Sequence, residues 1–219
     1  MIKKRDFLFL LFFLPSVSNG QLYVGLQAGY GYFDILQNQS GVTYSNTVDH
    51  FLLTLEAGEE ITQHFTVAIG AKYLNQAYHV NANTGGLGGG EEVDLSVHYG
   101  LLNFIFKPEY VFGKKVKGIV YPGILVGIVL HSTQEGTKTS WSMSSPAVTT
   151  DTVSGSAHSL FQFTNFGFLI GLGCEIPVSN SFSFIIENET SITLTGPSIG
   201  SGSSHFLNID LEVGCLYHL

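Results

Sequence analysis

Nine charged side chains fall at alternate positions of strand-like stretches: Glu56, Lys72, Lys107, Glu109, Glu175, Glu187, Glu189, Asp210 and Glu212. Facing one another across a closed space, these seven acids and two bases would leave five formal negative charges unbalanced. So many carboxylates in a narrow space cannot all ionise, and some are expected to share protons. Two readings follow, a cation-selective or proton-conducting core and a hydrogen-bonded polar plug. A second set is histidine: His50, His79, His98, His131, His158 and His205 fall beside long connections, and only His64 and His218 beside short ones. Imidazoles gathered on one rim could hold a transition metal or haem, or respond to acid, but none of these pairs has the close spacing of a dedicated site. Acyl hydrolysis would need Ser and His in contact. His158–Ser159 and Ser204–His205 are adjacent, so in a strand they point to opposite faces and cannot pair as nucleophile and base. The glycine run at 85–90 lacks the lysine and following helix of a phosphate loop and reads as a flexible loop tip. No catalytic residue, cofactor or metal site is expected.

The elements that must position these groups are strands. Period-two patterning appears at 22–33, 50–59, 64–75, 95–110, 118–130, 158–176, 181–194 and 205–219. The connections alternate long and short, the longest (132–157) being rich in Ser and Thr. Each strand has one apolar face and one face of polar residues and glycine, as in Phe65, Val67, Ile69, Ala71 and Tyr73 against Thr66, Ala68, Gly70 and Lys72. One irregularity stands out: Leu95, Val97 and Tyr99 lie opposite Leu102, Phe104 and Phe106. A bulge near Gly100, or an early exit of the strand from its apolar surroundings, would explain it.

Composition narrows the class. Of 219 residues only 12% are charged, about half the usual quarter. Beyond the N-terminus no apolar run reaches the roughly 18–20 residues of a membrane helix. Residues 1–20 read as a cleaved secretory leader, with Lys3, Lys4 and Arg5 before an apolar run and small residues Ser18 and Gly20 ahead of the cut. Cleavage takes three of nine bases and one of seventeen acids, leaving six lysines against sixteen acids. An exported acidic chain without a basic patch is a poor nucleic-acid binder.

Glycines and carboxylates on one face suit the inside of a narrow barrel, and bulky Phe, Ile and Leu suit a lipid-facing band. Tyr32, Tyr73, Tyr110 and Tyr217 near the strand ends would form its aromatic girdles. The expected fold is therefore all-β: an eight-stranded antiparallel up-and-down transmembrane β-barrel over 21–219, with the long connections facing outward. Cys174 and Cys215, both on the apolar face with a strand between them, would be roughly 10 Å apart. A disulfide spans at most about 6.8 Å, so two free thiols are expected.

The leader, the opening LYVGLQAGYGY and the last strand LNIDLEVGCLYHL resemble the outer-membrane β-barrel domain proteins of the Bacteroidetes, the PorT-like group, and are broadly similar to small OmpA-type and OmpX-type barrels. The resemblance covers 21–219, although such barrels usually end in Phe or Trp and this chain ends in Leu219. It implies insertion into the outer membrane from the periplasm and brings no shared catalytic residues. Expected partners are outer-membrane lipid and a protein bound through the external loops; the alternative role is a porin-like or secretion-associated channel. Asp151-Thr152-Val153 is similar to a short O-glycosylation acceptor pattern of the same bacteria.

Overall fold

The computed structural model describes residues 20–37, 42–45, 50–86, 89–142, 144–157, 164–194 and 204–219. The expected leader lies outside them except for Gly20, as does His158. Ten strands are formed among the described residues: β1 (Gln21–Gln37), β2 (Val42–Ser45), β3 (His50–Thr62), β4 (Phe65–Gly86), β5 (Gly89–Phe112), β6 (Lys117–Ser142), β7 (Ser145–Ser156), β8 (Thr164–Pro177), β9 (Phe182–Thr193) and β10 (Ser204–His218). All pairings are antiparallel. β3, β1, β10, β9, β8, β6 and β5 follow β4 around the sheet, and β5 returns to β4, closing the ring. Closure removes the free edges that an open sheet would present.

The closed ring runs through eight strands, and the total exceeds the eight expected because stretches read as loops form β2 and β7 outside it. β2 pairs with β4 at 79–82 and β7 pairs with β6 at 133–142. β4 and β5 stay paired as far as Gly86 and Gly89. Among the described residues β3 pairs with β4 up to Asn75, and β8 with β6 up to Ile128. Above that level β2, β4, β5, β6 and β7 form a five-stranded wall on one side of the ring. From Asn75 to Gly86 it rises roughly 35 Å along the strand. The β-branched Thr149, Thr150, Thr152 and Val153 favour the extended backbone of β7. Within the 85–90 run, Gly85, Gly86, Gly89 and Gly90 are paired strand residues, while 87–88 lie outside the described residues; a Cβ at Gly90 would collide with the ring of Trp141.

The irregularity near Gly100 lies in the partner strand. Gly100 pairs with His131 and Leu101 with Val129, leaving Leu130 of β6 as the bulged residue. β5 itself keeps one parity: Leu95, Val97, Tyr99, Leu101, Asn103, Ile105, Lys107 and Glu109 all point inward. The polarity of the interior changes along it, not the face of the strand.

The faces sort as the alternation requires. Phe184, Ile209 and Leu211 are 49%, 40% and 55% exposed, while Glu187 and Asp210 are 1% and 2% exposed. Tyr32, Tyr110 and Tyr217 are exposed on the outer surface, and Tyr73 is half-buried. Cys174 and Cys215 are free thiols on the outward faces of β8 and β10, with β9 between them. Inward glycines make room for large neighbours: a Cβ at Gly171 would run into the Tyr121 ring, and one at Gly31 into Asp210 and His50.

Gly171→Val is therefore expected to lower the guanidinium midpoint for unfolding from lipid vesicles, with an overpacking cost of about 1–3 kcal/mol. Ile170→Val, next to it but on the outer surface, should leave the midpoint unchanged.

Candidate functional site

Strand parity carries the charged residues inward, and the ring sets them face to face. β4 and β5 lie across the interior from β9 and β10. Lys72 of β4 reaches Glu189 of β9 at 2.7 Å, and Glu212 and Asp210 of β10 at 2.5 and 3.4 Å. Lys107 of β5 reaches Glu187 of β9 at 3.3 Å, Glu56 of β3 at 2.7 Å and Glu109 at 3.5 Å. Its ammonium also lies 4.6 Å from the centre of the Tyr121 ring. Each lysine thus collects three carboxylates and braces opposite walls. Gln27 donates to Glu187 at 2.8 Å and Thr54 to Glu212 at 2.6 Å. Tyr23 donates to Glu109 and Tyr121 to Glu189, at 3.3 and 3.5 Å.

Glu175, the remaining acid of the predicted set, belongs to a separate group at the turn end. Lys117 lies 3.3 Å from it and 3.2 Å from Glu60. Ser183 donates to Glu175 at 2.7 Å, and His218 sits 3.3 Å away. Tyr23, Glu109, Glu175 and His218 border a residual space of 10 Å³, room for one water at most.

Toward the wall the polar network gives way to carbon. His50 lies 2.9 Å from Asp210, and Gln76 donates to Asn208 at 2.6 Å while accepting from the Tyr99 hydroxyl at 2.5 Å. Beyond it Phe33, Phe206, Tyr99 and Tyr78 pack with ring centres 5.2–6.4 Å apart. Leu52, Leu74, Val80, Leu95, Val97 and Leu101 belong to the same apolar cluster.

Among the described residues the histidines do not all share one rim. His50 is buried in the interior, a correction that follows from its sharing parity with Leu52 and Glu56. His79 pairs with Asp94 at 2.7 Å, and His205 contacts the Thr193 carbonyl at 3.0 Å. His98 and His131 are exposed on the outer face of the wall. The Glu189, Asp210 and Glu212 carboxylates come within 4.8 Å of one another, but the Lys72 ammonium already stands among them. His205 follows Ser204 on β10, and Ser159 lies outside the described residues. Asp151, Thr152 and Val153 are in β7 rather than a loop.

Sequence reading missed Lys117, Gln27, Thr54, Tyr23 and Tyr121 as members of the network. The parity of Gln27 with Gly25 and Gly29, and of Thr54 with Glu56, was the available signal. Only closure shows that they meet the acids of β9 and β10.

No protein-family model matches the chain, and no curated protein matches it. Among solved structures it is similar to the outer membrane protein OprG from Pseudomonas aeruginosa, at 12% identity and a TM-score of 0.52, over 92% of this chain and 98% of that one. It is also similar to Ail, the attachment invasion locus protein of Yersinia pestis (8% identity, TM-score 0.46, 90% and 98% covered). A major outer membrane protein from Thermus thermophilus matches at 12% identity and a TM-score of 0.45, over 90% and 99%. The likeness to OprG shows the fold: a closed antiparallel barrel of the small outer-membrane type.

Removing one cation from the interior strands its carboxylates. Lys107→Met is expected to cost about 3–5 kcal/mol, read as a lower denaturant midpoint in vesicles. The combination Lys107→Met with Glu56→Gln and Glu187→Gln should recover much of that loss, since fewer uncompensated charges remain.

Proposed function

We infer that this chain is a non-enzymatic integral outer-membrane barrel whose filled interior braces the fold, and whose wall and neighbouring connections are a contact surface for a partner outside the membrane. One observation carries the membrane assignment: large apolar side chains, among them Phe51, Leu55, Phe104, Phe168, Ile170, Leu172 and Val213, are 40–62% exposed around the ring, while the carboxylates are buried within. A soluble monomer rarely exposes a contiguous apolar patch beyond a few hundred Å². A belt of this kind fits acyl chains between girdles of Tyr. The leader, the opening strand and the last strand support export and a PorT-like affiliation, with outer-membrane lipid as the immediate partner.

The ion-paired lysines and the aromatic cluster favour the plug reading over the porin-like channel. An ion entering from the wall side would first cross an apolar cluster and then displace lysines already saturated with carboxylate. Among the described residues the wall has no counterpart at the end with short turns, which fits a structure built for contact on one side.

Two measurements test this reading. Barrels reconstituted in planar bilayers should give no discrete current steps, and cation-selective steps would overturn the plug. Thr137→Cys, on the outward face of the wall, should react in intact cells with a membrane-impermeant maleimide, while native Cys174 and Cys215 stay shielded by lipid. Labelling of the new thiol only after lysis would overturn the orientation.

A further inference from the structure

The outward face of the wall carries a registered grid of polar groups with the chain's single tryptophan at its far end. Gly85, Gly90 and Trp141 stand side by side on β4, β5 and β6. The indole covers Gly90, and a Cβ on Gly85 would lie 3.5 Å from its Cζ2 atom. A side chain at Gly90 would push the ring off the sheet, whereas a Cβ at Gly85 would only touch it. Gly90 thus lets a half-buried indole lie flat on the sheet, reaching as far as Gly85.

One two-residue step toward the ring, about 6.8 Å away, come Asn83, Glu92 and Thr139, again in register, with Thr150 of β7 beside them. Thr139 and Thr150 hydroxyls are 3.2 Å apart. The side chains of Asn83 and Glu92 are exposed and make no hydrogen bond or ion pair among the described residues. The next row is Asn81, Asp94, Thr137 and Thr152, where Asp94 is held by His79.

An aromatic face beside amides, a free carboxylate and hydroxyls is the chemistry that recognises a sugar. The negative ring face attracts the C–H side of a pyranose, while amide and carboxylate groups take its hydroxyls. Charge selects among glycans. The outward face presents Glu92, Asp94 and Glu135, and the one lysine of the wall, Lys138, points inward to Glu91 at 2.8 Å. Sulfated or otherwise anionic chains would be repelled. We propose that this face is a binding site for a neutral glycan, one hexose stacking on Trp141 and the next reaching Asn83, Glu92 and Thr139. The proposal deepens the contact-surface reading above and rests on it.

The test uses the purified full-length barrel in detergent micelles, where binding does not depend on which side of a membrane the wall faces. A negative result here with a positive maleimide result would therefore remove the glycan and leave the surface reading intact. Trp141 emission is followed on titration with maltohexaose, cellohexaose and chitohexaose, with heparin as the anionic probe. At least one neutral oligosaccharide should give a saturable shift, and heparin none. By calorimetry Trp141→Ala should weaken binding at least about tenfold and Glu92→Ala several-fold, whereas Trp141→Phe should retain most of it. Absence of any shift with all three neutral probes, preference for heparin, or unchanged affinity in Trp141→Ala would each overturn the proposal.

Discussion

The backbone of a strand surrounded by hydrocarbon has no water to bond with, so each N–H and C=O must be met by a neighbouring strand. In this protein that demand is satisfied by the pairing of β1 with β10, which turns an open meander into a ring. Once the ring closes, side-chain parity has only two destinations. The bulky apolar residues go outside, and everything of opposite parity is confined within a few ångströms of its counterpart on the far wall.

Confinement makes the interior a problem of compensation. The six carboxylates gathered around Lys72 and Lys107 would be intolerable there without cations, since burying an unpaired charge costs several kcal/mol. The two lysines answer this by standing on adjacent strands and each reaching across to β9 or β10. The interactions that neutralise the acids also hold opposite sides of the barrel together. Inward glycines such as Gly171 and Gly31 leave the space in which Tyr121, His50 and Asp210 can complete the network.

Above the band the same parity serves another purpose. The inward positions of β4 and β5 turn from charged to apolar, and Phe33, Tyr78, Tyr99 and Phe206 pack together inside the ring. The outward positions turn from apolar to hydroxyl, amide and carboxylate. This inversion marks the level at which the sheet leaves lipid for water, and the bulge at Leu130 lets β6 adjust its faces there while β5 runs straight through.

Alternation, the contrast of long and short connections, and the scarcity of charge were legible in the chain, because each is set by local physics with period two. They placed Glu56, Lys72, Glu187 and Asp210 on one face, and Phe184 and Leu211 on the other. The composition of 76–94 and 132–157 looked like loop, since Gly, Ser and Thr are as much at home in connections as at a sheet edge. Whether such a stretch forms strand depends on whether a neighbour offers its backbone groups, and that neighbour is distant in sequence for β2 on β4. The described histidines divide for a related reason: nearness to a loop says nothing about which way a side chain points, and His50 turns in while His98 turns out. Which residues share a face is written in the order of the chain, two positions at a time. Which faces meet is a property of the folded ring, because closure brings together strands that no local pattern relates.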